Sequence, residues 1–399
     1  MIPLMKNAFH RELETRRALA EFILEAPRLS MDTECFRFEE AFAAHEGRRD
    51  AILFNSGGSA NLALMQALKN LGRLEDEDRV GFSALTWATN VMPILQLGMQ
   101  PVPVDCDPQT LNCMSENLEH RLRTTKLKCF FLTNVLGYCG DLENIRRICE
   151  ERDIILVEDN CESLGTELHT GRAGGFGVAA TFSFYVAHHM STIEGGMVCT
   201  DDEELAEMLR IVRANGWDRN LRASQQMKLR NEFRVKGEFE AKYTFYDLGY
   251  NLRPTEITGF LGNLQLQHLD DTVQKRAAIH ERLDAAAQQN PDLIGLDRSH
   301  IRTLSSFAYP VICRSEAIRD RFVFQFAGAG VEIRPVIAGN MQRQPFYSRY
   351  VERLYDLPGA EFLHNNGVYF GVYPELTETD LNVLGGCLSS YSGSASRAA

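Results

Sequence analysis

Lys128-Cys129-Phe130-Phe131-Leu132-Thr133, the helical pattern of Asp141 to Arg152, and Ile154-Ile155-Leu156-Val157-Glu158-Asp159 follow one another in the chain. This stretch decides the fold class. Both apolar runs are continuous, without the alternation of a strand that has one wet face, so each reads as a strand buried on both sides. A helix between two such strands places them in one parallel sheet. The pattern extends in both directions. Upstream, Ala51-Ile52-Leu53-Phe54 leads into Ser56-Gly57-Gly58-Ser59-Ala60 and the helical pattern Asn61 to Leu71. Arg79-Val80-Gly81-Phe82 precedes the helix-like Ala88 to Leu97 and then Val102-Pro103-Val104, and the strand Val178 to Phe184 lies downstream. The expected fold is α/β with a mostly parallel central sheet. Ligands of such sheets collect beyond the carboxyl ends of the strands.

Thr255 to Gln289 contains no proline and reads as one or two long helices, followed by a mixed segment. Residues 1–265 are therefore expected to form a large domain and 266–388 a smaller C-terminal α+β domain. The small, polar run 389–399 is expected to be a disordered tail.

A length of 399 residues suits one enzyme subunit of two subdomains. Its 42 Lys+Arg against 54 Asp+Glu give a net charge of -12, which makes nucleic acid a poor partner. No apolar run approaches the roughly 20 residues of a membrane span, and Met1 to Lys6 lacks the apolar core of a signal peptide. A cytoplasmic enzyme acting on small molecules is expected. The ten cysteines include no C-x-x-C pair and none between Cys199 and Cys313, so they read as buried, reduced thiols.

Four segments bear on chemistry. Asn55-Ser56-Gly57-Gly58-Ser59-Ala60-Asn61 joins a strand to a helix. Its small residues let backbone N–H groups approach an anion at a helix N-terminus, or simply make a turn with Ser as N-cap. No Gly-Lys-Ser/Thr follows, which excludes a P-loop. Gly175-Phe176-Gly177-Val178-Ala179-Ala180 matches G-x-G-x-x-A but precedes its strand, the wrong context for a dinucleotide fingerprint. Glu158-Asp159-Asn160-Cys161-Glu162-Ser163 closes a strand. A carboxylate there could hold the protonated ring nitrogen of a heterocyclic cofactor, or serve as a cap beside a solvated Glu. Phe182 to Val198 runs from a strand through His188-His189 to Gly195-Gly196 and another strand. Histidine suits general acid–base work near neutral pH, and no metal-ligand spacing accompanies it.

From about Phe38 to Leu384 these segments together resemble the sugar aminotransferases of fold type I, which use pyridoxal 5'-phosphate (PLP). In that family the fourth segment reads S-F-x-x-x-K and then G-E-G-G, the lysine forming the Schiff base with PLP. Ser183-Phe184 and Glu194-Gly195-Gly196 set the register, His188 stands at the lysine position, and Ile193 replaces the usual Gly. The histidine exchange, with Asn215 to Asn220, Gly249 to Pro254 and Arg334 to Asn340, is similar to the NDP-4-keto-6-deoxyhexose 3-dehydratases. One branch of these carries a [2Fe–2S] cluster on a C-x-C-x7-C run, whereas Asp218 to Tyr243 here has no cysteine. The sequence therefore resembles the cluster-free branch, typified by GDP-4-keto-6-deoxy-mannose 3-dehydratases, which takes reducing equivalents as an amino group from glutamate.

The resemblance implies a role for each matching residue. Without a lysine amine the cofactor is held non-covalently, and its resting form can be pyridoxamine 5'-phosphate (PMP). His188 would move the proton at the cofactor's C4' carbon. Gly58, Ser59 and Ser183 would bind the phosphate, Trp87 would stack on the ring, Asp159 would pair with its nitrogen, and Glu162 would contact its 3-hydroxyl. Asn251 would reach the phosphate of a neighbouring subunit's cofactor, which implies a homodimer with shared sites. Asn215, where relatives often have His, would contact substrate together with Arg219, Arg334 and Asn340; His189 is expected to be structural. The implied reaction removes the C3 hydroxyl of a nucleotide-linked 4-keto-6-deoxy sugar, and glutamate restores PMP. No metal and no iron–sulfur cluster are implied. The alternatives are a PLP-dependent nucleotide-sugar 4-aminotransferase working without its lysine, or a non-catalytic sugar-nucleotide binding protein on the same fold.

Overall fold

The computed structural model describes residues 1–389, so the tail expected over 389–399 falls, from residue 390 onward, outside the described residues. Seven strands form the central sheet: β1 (Asp50–Phe54), β2 (Arg79–Ser83), β3 (Gln100–Val104), β4 (Cys129–Thr133), β5 (Ile155–Asp159), β6 (Ala179–Ser183) and β7 (Gly196–Thr200). Their spatial order is β1-β7-β6-β5-β4-β2-β3. β7 runs antiparallel to both β1 and β6, and every other neighbouring pair is parallel. Six strands therefore point the same way, and their carboxyl ends share one edge. The apolar runs of β1, β4, β6 and β7 are buried at every position, as sheets covered on both faces require.

The helix Gly57–Asn70 covers one face through Ala60, Leu64 and Leu68, against Ile52, Phe82 and Val198. On the other face Phe38 and Phe42, from the helix Thr33–Glu46, meet Phe182 and Phe184. The expected helix over 88–97 is broken into a 3-10 turn, Ala88–Asn90, and a short helix, Met92–Gln96. Pro93 has no N–H to donate, so a continuous helix cannot pass through it, while the first turn of a new one tolerates it.

A second core gathers Leu283, Val311, Phe322, Phe326, Val368, Phe370 and Leu384. It surrounds an antiparallel sheet of β8 (Ala308–Ile312), β9 (Ile333–Pro335) and β10 (Gly367–Gly371), with β10 in the middle. The proline-free stretch is two helices, Glu256–Leu266 and Leu269–Ala287, and the second packs on this core. Ile2 also belongs there, its N–H bonding the Gly330 carbonyl at 2.8 Å. The start of the chain is thus fastened to the C-terminal core.

Candidate active site

The carboxyl edge of the sheet converges on Asp159. Its carboxylate is 4% exposed. Oδ2 accepts from Asn61 Nδ2 at 2.9 Å and Asn90 Nδ2 at 2.7 Å, and Oδ1 accepts from the Cys161 N–H at 2.9 Å. These donors come from the first turns of Gly57–Asn70, the 3-10 turn after β2, and the loop after β5. Together they hold the carboxylate in one orientation. The adjacent Glu158 points to the opposite face of the strand, as alternation demands. There it is buried and accepts from the N–H groups of Gly174, Phe176 and Gly177 at 2.7–2.8 Å. Glu158 is therefore the anchor of the glycine-rich turn, not a solvated side chain.

Beside this cluster Ser56 caps the helix Gly57–Asn70, its Oγ accepting from the Ser59 N–H at 3.1 Å. A Cβ at Gly57 would lie 2.7 Å from Ser183 Cβ and 3.0 Å from Ser183 Oγ. One at Gly196, which pairs with both Phe54 and Ser183, would lie 2.2 Å from the Ser56 carbonyl oxygen. Glycine at these two positions is what lets the helix N-terminus, with Gly58 and Ser59, close on the Ser183 hydroxyl. The result fits an anion: backbone N–H groups, two serine hydroxyls and the positive end of a helix.

Trp87 immediately precedes the 3-10 turn that carries Asn90 to Asp159, and it is 55% exposed, so its aromatic face is open to a ligand. Glu162 is nearly buried, and its Oε2 accepts from the Leu136 N–H at 2.9 Å. Burial, with the nearby Asp159 charge, pushes its carboxyl up to about 8. At neutral pH it is mostly protonated and can donate a hydrogen bond to an oxyanion. Tyr369 on β10 lies within electrostatic reach of both Glu162 and Arg334, and β10 pairs Tyr369 with Arg334 of β9. The small sheet thus brings Arg334 toward the Glu162 side, where its exposed guanidinium pairs with Glu332 at 2.5 Å.

His188 sits in the turn that leaves β6, its N–H bonding the Tyr185 carbonyl at 2.9 Å. The imidazole meets the Phe307 ring at 5.2 Å and 66° and the Tyr185 ring at 6.1 Å. Its Nδ1 is buried and has no hydrogen-bond partner among the described residues. Burial first, and the Arg276 charge second, push it down to about 4, so the ring is neutral at physiological pH. His189 is buried behind the same Phe307 ring, at 6.1 Å, and bonds the Ser305 carbonyl through Nε2 at 2.9 Å, a structural placement.

Four further residues are expected at the site from the sequence. Asn215 has φ +59°, a left-handed conformation that Asn tolerates well, and its N–H bonds the Tyr250 carbonyl at 2.8 Å. Asn251 is exposed on the segment bridged to Ala214. Arg219 stacks on Trp217 at 3.8 Å and bonds the Lys242 carbonyl. Asn340 is buried and spends its side chain on the Glu361 carboxylate and the Gln342 N–H, which gives it a structural task within this chain. Sequence reading overlooked Asn61, Asn90 and Arg276. Only Asn61 lay in a segment singled out for chemistry.

Residues 11–388 match the DegT/DnrJ/EryC1/StrS aminotransferase family. The chain belongs to that family. It is 32% identical over 353 residues to GDP-4-keto-6-deoxy-D-mannose 3-dehydratase of Escherichia coli O55:H7, a match spanning 88% of this chain and 90% of that protein. It is 30% identical to dTDP-4-dehydro-2,6-dideoxy-D-glucose 3-dehydratase of Saccharopolyspora spinosa, over 92% of this chain and 81% of the other. Among solved structures, GDP-4-keto-6-deoxymannose-3-dehydratase with a trapped PLP–glutamate geminal diamine superposes with a TM-score of 0.89 at 29% identity, covering 98% of this chain and 100% of the other. The fold is that of the fold-type-I sugar aminotransferases, as the sequence led one to expect.

Proposed function

We propose that this protein is a PLP/PMP-dependent 3-dehydratase of a nucleotide-linked 4-keto-6-deoxy sugar, regenerated by glutamate. The observation that carries the reading is His188: a neutral imidazole without a side-chain partner, standing where relatives place the lysine that would capture the cofactor. The surrounding residues fit that cofactor. The Gly57–Ser59 turn and Ser183 form a cradle for its phosphate that a single Cβ would fill. Asp159, held by three donors, suits a protonated ring nitrogen, Trp87 the ring face, and protonated Glu162 the ring's oxyanion.

When bound, the cofactor supplies an electron sink and an exchangeable amino group at C4'. His188 takes and returns the proton at that carbon, both when the C3 hydroxyl departs and when glutamate gives up its nitrogen. Asp159 keeps the ring nitrogen protonated, and the Phe307 and Tyr185 rings pack edge-on against the imidazole and set its orientation. Arg334 and Arg219 offer guanidinium groups to a dianionic sugar nucleotide. Asn251 is exposed, as a residue that reaches a neighbouring subunit's site in a homodimer must be. Among the described residues no helix is long and apolar enough to cross a membrane, in keeping with a cytoplasmic enzyme.

Incubation with PLP, glutamate and GDP-, CDP- and dTDP-linked 4-keto-6-deoxyhexoses, with products read by mass spectrometry, tests the proposal. A 4-keto-3,6-dideoxy product is expected. An aminosugar that keeps its C3 oxygen would overturn the dehydratase reading, and strict dependence on an added iron–sulfur reductase would overturn the glutamate route. His188→Asn is expected to retain PLP and lose turnover.

A further inference from the structure

Arg276, on the helix Leu269–Ala287, is 1% exposed. Its hydrogen bonds all run to backbone carbonyls: Nη1 donates to Ser306 at 3.1 Å, to Phe307 at 3.0 Å and to Val372, and Nη2 donates to His188 at 3.3 Å. Glu375 is the acidic group that offsets it at a distance. Burying a guanidinium without a carboxylate partner is costly, so its retention calls for a task. Its four acceptors come from three separate stretches of chain. One is the turn that carries His188, one precedes β8, and one follows β10.

We propose that Arg276 is a positioning residue for His188, fixing the imidazole by holding the His188 and Phe307 carbonyls with one guanidinium. The fork sets the backbone of the base and the backbone of the aromatic ring packed on that base at the same time. It also ties the turn after β6 to the smaller C-terminal core, so that the imidazole is in place only when that core is docked. The proposal rests on the reading of His188 as the proton-transfer base. The charged and titratable groups around the ring are Arg276, His189 and Tyr185, with His10 and Glu375 lining the same pocket of about 30 Å³ behind it. Arg276 contributes, after burial, to keeping the imidazole neutral.

Arg276→Met and Arg276→Lys test this. In the cofactor-free protein, labelled for histidine NMR, the His188 ring resonances should shift and broaden in both Arg276→Met and Arg276→Lys, because the turn that carries the ring is no longer held by the fork. In the loaded enzyme Arg276→Lys, which keeps the charge but not the fork, should lower kcat by about tenfold or more with KM little changed, because a single ammonium does not hold both carbonyls in the geometry of the planar fork. A folded Arg276→Met with the wild-type His188 ring resonances, or Arg276→Lys with wild-type kcat, would overturn the assignment. If Arg276→Met does not fold, the Lys variant decides alone. Wild-type protein inert toward every sugar nucleotide would count against the dehydratase reading, while the NMR comparison would still judge Arg276.

Discussion

Replacing Glu162 by Gln in the cofactor-free protein should change how stability depends on pH. The carboxyl is nearly buried, has the Leu136 N–H as its hydrogen-bond donor, and faces the Asp159 charge instead of a cation. Burial and that charge hold it near 8, against 4.5 for an ordinary Glu. The folded state thus binds a proton that the unfolded state releases between those values. Stability from this group is fully present below pH 4.5 and is lost as pH rises through 8. At about 1.4 kcal/mol for each pH unit of the difference, the wild type should lose up to about 5 kcal/mol that a neutral amide does not. Urea unfolding of both proteins at pH 5 and pH 8.5 measures it: the variant should be about as stable as wild type at the lower pH and clearly more stable at the higher one. Parallel pH profiles would refute the argument, because they would mean that Glu162 ionises normally and is not the hydrogen-bond donor assigned to it.

Gly57→Ala should lose PLP, because its Cβ would stand 2.7 Å from Ser183 Cβ, and should destabilise the chain by about 1–3 kcal/mol as overpacking does; dialysis followed by absorbance and a thermal melt check both. Ile193 has φ +73° although it is β-branched and 47% exposed, so Ile193→Gly relieves about 1–2 kcal/mol of left-handed strain against roughly 1 kcal/mol of lost chain restriction. Its melting temperature should equal or exceed that of the wild type, and a clear drop would show that the side chain packs against something that outweighs the strain.

Much of the site could be read in the chain because it lies directly after strands. Asp159 ends β5, Ser183 ends β6 and the Ser56–Ser59 turn follows β1, so a parallel sheet alone brings them to one edge. The Ile193 exchange was visible too, but its cost became apparent only with the backbone angle. Glu158 and Asp159 show the limit. Alternation requires that they face opposite ways, yet which of them meets the Asn61 and Asn90 amides depends on the handedness of the sheet and on what covers each face.

The sequence by itself determined the alternation of strands and helices, the family pattern, and the exchange of lysine for His188. Those are local facts, set by hydrophobic period and by residue type at fixed spacing. Only the tertiary structure decided the shell around them. Asn61 and Asn90 reach Asp159 across 98 and 69 residues of chain, and Arg276 reaches His188 across 88. Asn340 meets Glu361 across 21 residues and bonds the Gln342 N–H. No periodicity encodes such meetings, because they follow from strand order and from the docking of one core on another, where a polar group is placed by the need to satisfy its buried partners.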